Sequence, residues 1–154
     1  MEWILNSEED TLKLGRQLAL ASECRGLFYL EGSLGSGKTT LSRGILRGFK
    51  YEGKVPSPTW TLVEPYELDS GCVYHFDLYR LGAPEELDLL GAREYFSSRS
   101  LCLVEWPDKG EGSLPDADLR IRMDWRPEGR HVSITPVSQH GHAVCSRLQA
   151  HYVA

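Results

Sequence analysis

The sequence has 154 residues, enough for one domain with a real core and too few for two. Hydrophobic residues make up 41% and charged residues 25%, which excludes a disordered chain, and no apolar run approaches the ~20 residues of a membrane span. A formal net charge of -5 argues against a stand-alone nucleic-acid binder, so any link to RNA is expected to run through a partner.

In chain order, Met1-Glu2-Trp3-Ile4-Leu5 is short and acidic and does not read as a secretory signal. Ser7-Glu8-Glu9-Asp10 predicts a helix start, with Ser7 as cap and acids at the positive end of the macrodipole. Leu14, Leu18 and Ala21 continue it at helical spacing until Gly26. Leu27-Phe28-Tyr29-Leu30 predicts a buried strand that opens onto glycines. Thr39 to Phe49 predicts a helix with Leu41, Ile45 and Leu46 inward and Arg43 and Arg47 outward. The two arginines make either a docking face for an acidic partner or a solvated face.

Gly53 to Pro58 reads as a loop. Thr61–Leu68 and Cys72–Leu78 read as strands of a hairpin turning at Asp69-Ser70-Gly71. Pro84-Glu85-Glu86-Leu87 begins a helix, and Leu101-Cys102-Leu103-Val104 is a second buried strand. Strands near Leu119–Trp125 and His131–Thr135 flank the turn Arg126-Pro127-Glu128-Gly129, and Ala143 to Ala150 closes the chain as a helix. With no internal repeat and no linker, residues 1–154 are expected to form a single domain. Cys24, Cys72, Cys102 and Cys145 show no CxxC pair, which favours a reducing cytosol over a disulfide framework or a zinc site.

Gly32-Ser33-Leu34-Gly35-Ser36-Gly37-Lys38-Thr39 matches G-x-x-x-x-G-K-[ST], after an apolar strand and before a helix. Such glycines let successive N–H groups converge on phosphate oxygens, and the helix start adds partial positive charge. Lys38 is expected to reach the β and γ phosphates, and the Thr39 hydroxyl to bind Mg²⁺. The bland alternative is a glycine-rich turn linking strand to helix.

A second oxygen ligand is then needed. Glu105 ends an apolar strand, as a metal-serving acid does, although a solvent-facing strand end is the alternative. In Tyr74-His75-Phe76-Asp77-Leu78-Tyr79, alternation places His75, Asp77 and Tyr79 on one face. Asp77 is either a metal ligand or a hydrogen-bonded structural carboxylate; His75 reads as a structural partner. Ser57-Pro58-Thr59-Trp60-Thr61 is either a γ-phosphate-sensing loop or a plain one, and Trp106 either stacks at the site or belongs to the core. No Asn-Lys-x-Asp run is present, and Asp108-Lys109-Gly110 lacks the asparagine, so ATP is favoured over GTP. The adenine pocket is placed only as far as the Ser7–Thr11 segment.

Together these segments resemble the bacterial TsaE (YjeE) family, the ATPases of tRNA threonylcarbamoyladenosine synthesis. The likeness rests on the glycine motif through Thr40, Ser57-Pro58-Thr59-Trp60-Thr61-Leu62-Val63-Glu64, Tyr74-His75-Phe76-Asp77-Leu78-Tyr79-Arg80-Leu81 and Leu103-Val104-Glu105-Trp106-Pro107, within about Ser7 to Arg130. Ser33 and Trp60 depart mildly from the family pattern. The resemblance implies an α/β fold, a P-loop NTPase-like sheet flanked by helices with antiparallel strand additions. It also implies a Mg²⁺-dependent, cytoplasmic ATPase that acts with TsaD and TsaB and meets tRNA only through them. Carried over by motif, Leu34, Gly35, Ser36, Gly37, Lys38, Thr39, Thr40 and Arg130 bind ATP. Lys38, Glu105 and Asp77 are catalytic, Thr39, Glu105 and Asp77 serve the metal, and Thr39 thus does both. Thr59 and Trp106 belong to the switch or partner side. Two other readings stay open: a small-molecule kinase, for which Arg80, Arg93 and Arg99 are the available lid arginines, and a nucleotide-gated binding module with little hydrolysis.

Overall fold

The computed structural model describes residues 1–96 and 99–151. Its elements are β1 (Glu2–Leu5), α1 (Glu8–Ser22), β2 (Gly26–Glu31), α2 (Lys38–Gly48), β3 (Val63–Leu68), β4 (Gly71–Asp77), α3 (Glu86–Leu89), α4 (Ala92–Phe96), β5 (Leu101–Glu105), a 3₁₀ turn (Pro107–Gly110), β6 (Leu119–Arg126), β7 (Gly129–Pro136) and α5 (Gln139–His151). The strands form one mixed sheet in the order β1-β7-β6-β2-β5-β4-β3. Strands β6, β2, β5 and β4 run parallel, while β7, β1 and β3 add antiparallel.

The apolar runs explain the centre. All five residues of β5 are buried, as are Leu27 to Leu30 of β2, because parallel strands covered on both faces read as continuous hydrophobic segments. One face packs under α1, α2 and α5 through Leu14, Leu18, Leu41, Ile45, Val144 and Leu148. The other holds Phe76, Leu78 and Val104 together with Leu87 and Ala92 of the short helices α3 and α4. Strand β6 alternates instead: Leu119, Ile121 and Met123 face the core, and Arg120 and Arg122 face water.

Ser7 caps α1 as its sequence predicts, its Oγ accepting from the Asp10 amide at 3.1 Å. The helix ends earlier than Gly26, where Glu23 turns into the left-handed region at φ 56°. Helices α1 and α2 meet at glycines. A Cβ on Gly15 would lie 2.7 Å from the Gly44 backbone, and one on Gly44 would lie 2.7 Å from the Leu12 carbonyl oxygen. Gly15→Ala is therefore expected to cost about 1–3 kcal/mol through overpacking and to lower the melting temperature by several degrees. Unchanged thermal unfolding followed by circular dichroism would contradict that contact.

Four boundaries differ from expectation for physical reasons. Strand β1 was unforeseen because it is a four-residue edge strand that buries only Leu5 fully. Strand β3 starts at Val63, not Thr61, because Leu62 adopts φ 67° and donates its amide to the Pro58 carbonyl. The helix predicted from Pro84 divides into α3 and α4, separated by Gly91 at φ 70°. Helix α5 begins at Gln139, with Ser138 Oγ accepting from the Gly141 amide at 3.0 Å. The four cysteines are free, and among the described residues no helix is long and apolar enough to cross a membrane.

Candidate functional site

The C-terminal ends of β2, β5 and β4 are the edge of a parallel sheet at which α/β proteins place ligands. Between β2 and α2 the chain runs through Gly32 to Gly37. Gly32 sits at φ 142°, and a Cβ there would lie 2.2 Å from the Met123 carbonyl oxygen. Gly37 is the α2 N-cap at φ 106°, a conformation natural to glycine, and makes no side-chain cap bond. The first-turn amides of α2 thus receive no bond from a capping side chain, and free amides at a helix start suit an anion.

Lys38 is 5% exposed. Its ammonium donates to the carbonyls of Gly32 at 2.5 Å and Ser33 at 3.0 Å and lies 4.2 Å from the Trp106 ring centroid. Burial lowers its pKa from the ordinary lysine value, opposed by the charges of Glu105, Asp77 and Asp108. Beside it, Thr39 Oγ1 donates toward Glu105, 3.1 Å from Oε2 and 3.3 Å from Oε1.

The acids come from adjacent strands. Asp77 and Glu105 are register partners in the parallel β4·β5 pair and are 4% and 3% exposed. Glu105 is therefore not a solvent-facing strand end. Its Oε2 also lies 2.5 Å from His75 Nε2. Asp77 Oδ2 accepts from Ser57 Oγ and from Thr59 Oγ1 at 3.3 Å, and its Oδ1 accepts from the Tyr79 amide at 2.9 Å. Asp77 thereby ties the Ser57–Thr59 loop to the sheet. His75 is a structural partner as its sequence predicts, but of Glu105; alternation within one strand could not reveal the neighbour on the next.

A cavity of about 400 Å³ gathers the predicted residues. Leu34, Gly35, Ser36, Gly37, Lys38, Thr39 and Thr40 line one side, and Thr59, Asp77, Glu105 and Trp106 the other, with Ser57 and Tyr79. Arg130 reaches the same cavity from β7 and donates from Nη2 to the Gly35 carbonyl at 3.3 Å. Tyr79 was not singled out by sequence; its ring lies 5.0 Å from that of Trp106, and its place on the Asp77 face was the available signal.

Other expected residues lie elsewhere. Ser7 caps α1 and Thr11 is buried, so the Ser7–Thr11 segment does not line the cavity. Arg43 pairs with Glu8, and Arg47 donates to the carbonyls of Tyr51 and Gly53, both at 2.8 Å. Both arginines lie on a partly exposed surface, where these local partners hold them. Arg80 lies 3.9 Å over the Trp60 ring, and Arg93 is 3.8 Å from Asp88, so neither stands as a lid over the cavity.

The chain is thus an α/β protein in which a glycine loop with a buried lysine, a helix start and two register-paired carboxylates share one cavity. The description of the family model that matches residues 5–132 is "Threonylcarbamoyl adenosine biosynthesis protein TsaE". The tRNA threonylcarbamoyladenosine biosynthesis protein TsaE of Haemophilus influenzae is 43% identical over 144 residues, covering 90% of this chain and 91% of that protein. Its counterpart from Bacillus subtilis is 32% identical, covering 98% and 95%. The crystal structure of Bacillus subtilis YdiB superposes with a TM-score of 0.79 at 30% identity, covering 98% of this chain and 95% of that one. The chain belongs to the TsaE family of threonylcarbamoyladenosine biosynthesis proteins.

Proposed function

We propose that this chain is a Mg²⁺-dependent P-loop ATPase whose cycle drives turnover of a TsaD–TsaB complex as that complex modifies the adenosine 3′ of the anticodon in tRNA. Family membership supports the place in tRNA threonylcarbamoyladenosine biosynthesis. The ATPase reading is carried by one observation: a buried ammonium, an uncapped helix start and a Thr39–Glu105–Asp77 oxygen set converge on one cavity.

The donor set fits the metal. Thr39, Glu105 and Asp77 offer hydroxyl and carboxylate oxygens, the hard ligands Mg²⁺ takes alongside phosphate and water. Among the described residues no three His, Cys, Asp or Glu side chains gather as a metal cage, so a phosphate would complete the coordination. When bound with nucleotide, Mg²⁺ neutralises charge on the β and γ phosphates.

The chain's own groups do the rest. The amides from Gly35 to Thr39 orient the phosphates, and Lys38 exchanges its two carbonyl partners for phosphate oxygens. Thr39 would hold the metal through a lone pair of its hydroxyl oxygen while its proton stays directed at Glu105, whose carboxylate would orient the attacking water. Thr59, held on Asp77, is placed to register the γ-phosphate. Arg130 and Trp106 close the two sides of the cavity, Arg130 on the nucleotide and Trp106 toward the partner. ATP is the expected nucleotide, because Asp108-Lys109 in the 3₁₀ turn follows Trp106-Pro107 without a guanine-reading asparagine.

Calorimetric titration of ADP into the pure protein should give heat that grows when Mg²⁺ is present. No magnesium-dependent heat would end this reading. Phosphate release should be weak for the chain alone and rise on adding TsaD and TsaB. Phosphorylation of a metabolite in place of free phosphate release would favour a kinase, and tight ATP binding with no release even with both partners would favour a gated binding module.

A further inference from the structure

We infer that His75 is a positioning residue for Glu105, holding one carboxylate oxygen so that the other stays turned to the cavity. The inference rests on the magnesium-nucleotide reading of the site and adds a residue to it. His75 is fully buried in β4, at a register position opposite Leu103, two residues before Asp77. Its Nε2 lies 2.5 Å from Glu105 Oε2.

Two donors reach Glu105, and they differ in kind. Thr39 Oγ1 has a single proton, aimed between Oε2 at 3.1 Å and Oε1 at 3.3 Å, and the same hydroxyl is the one a metal would claim. A hydroxyl ligates a metal through an oxygen lone pair and would shift with that metal, whereas His75 would donate to Glu105 with or without it. Its ring is set by the sheet rather than by the nucleotide, so its hold on Oε2 is the same in both states.

The surroundings also fix which nitrogen carries the proton. Nδ1 is buried and has no hydrogen-bond partner among the described residues. A proton on Nδ1 would be an unmet buried donor and would leave the Nε2 lone pair facing a carboxylate. With the proton on Nε2, the ring donates to Oε2 and leaves only an acceptor unmet. Outer partners of this kind orient metal-ligating side chains, and their loss weakens metal-dependent binding by about 10–100-fold.

The test uses the full chain and calorimetric titration of ADP, in EDTA and in MgCl₂, for wild type, His75→Gln, His75→Asn and Glu105→Ala. A glutamine nitrogen can occupy the place of Nε2, whereas an asparagine nitrogen ends near Nδ1, short of Glu105. The magnesium-dependent gain in ADP affinity should fall about tenfold or more in His75→Asn and stay within about threefold of wild type in His75→Gln. The double variant His75→Asn/Glu105→Ala should lose no more than Glu105→Ala alone. A wild-type magnesium gain in His75→Asn, or equal damage in the glutamine and asparagine variants, overturns the inference. If His75→Asn does not fold, long-range ¹H–¹⁵N spectra of the wild-type imidazole decide: an Nε2–H tautomer supports the role and an Nδ1–H tautomer overturns it. No magnesium gain in wild type sinks the nucleotide reading itself. A wild-type gain that is lost in Glu105→Ala and kept in His75→Asn sinks only the role of His75.

Discussion

Lys38→Ala is expected to reduce phosphate release to background, a loss of at least about a hundredfold even with TsaD and TsaB present. The ammonium is bonded to the Gly32 and Ser33 carbonyls at the glycine loop, on the cavity where the proposed phosphates would sit. No other lysine lines the cavity, and Arg130 stands on the Gly35 side. The fold should survive the change. Burial lowers the Lys38 pKa below its ordinary 10.5, so the protonated side chain costs stability at neutral pH. That cost is fully present below the lowered folded value and fades as pH rises toward 10.5, where the unfolded chain also releases its proton. Removing the charge therefore leaves the melting temperature of the nucleotide-free protein within a few degrees of wild type, while the thermal shift given by ADP and Mg²⁺ disappears. Phosphate release within tenfold of wild type would contradict the assignment of Lys38.

Glu105→Gln should separate binding from turnover. Glutamine keeps the length of the side chain and an oxygen for Thr39, but it carries no charge to orient or activate water. Turnover should fall by about 10²–10⁴, the usual weight of a positioned acid or base, while ADP in EDTA binds with affinity within a few fold of wild type. The readings to compare are single-turnover phosphate release and calorimetric affinity. Turnover within about threefold of wild type would remove Glu105 from the chemistry.

Much of this site was legible in sequence because its parts are local. The glycine loop, Lys38 and Thr39 are contiguous, and an apolar strand before them with a helix after them follows from hydrophobic spacing alone. Glu105 was visible as an acid ending an apolar strand, and Asp77 as an acid on the polar face of an alternating one. Their pairing was not, since it depends on two parallel strands meeting across the intervening α3 and α4. The same holds for His75, whose partner sits on the neighbouring strand. Arg130 reaches the glycine loop because β7 lies two strands from β2 in a sheet whose spatial order departs from chain order, and periodicity carries no trace of that. Arg43 and Arg47 were legible as outward residues, but their partners were not. Helical spacing places a charge outward but does not show that Glu8 or the carbonyls after α2 lie within reach.

The glycine contact between α1 and α2 bears on how such a site can respond to its ligand. Backbone packs against backbone where Gly15 meets Gly44, and Gly48 sits against Ala19 and Arg16, so α2 is held close to α1 along its length. On the opposite bank the segment before Val63 is held to Asp77 by the Ser57 and Thr59 hydroxyls and by the bond from the Asp77 amide to the Leu62 carbonyl. One bank of the cavity is thus braced by packed backbone, and the other is tethered by side-chain hydroxyls.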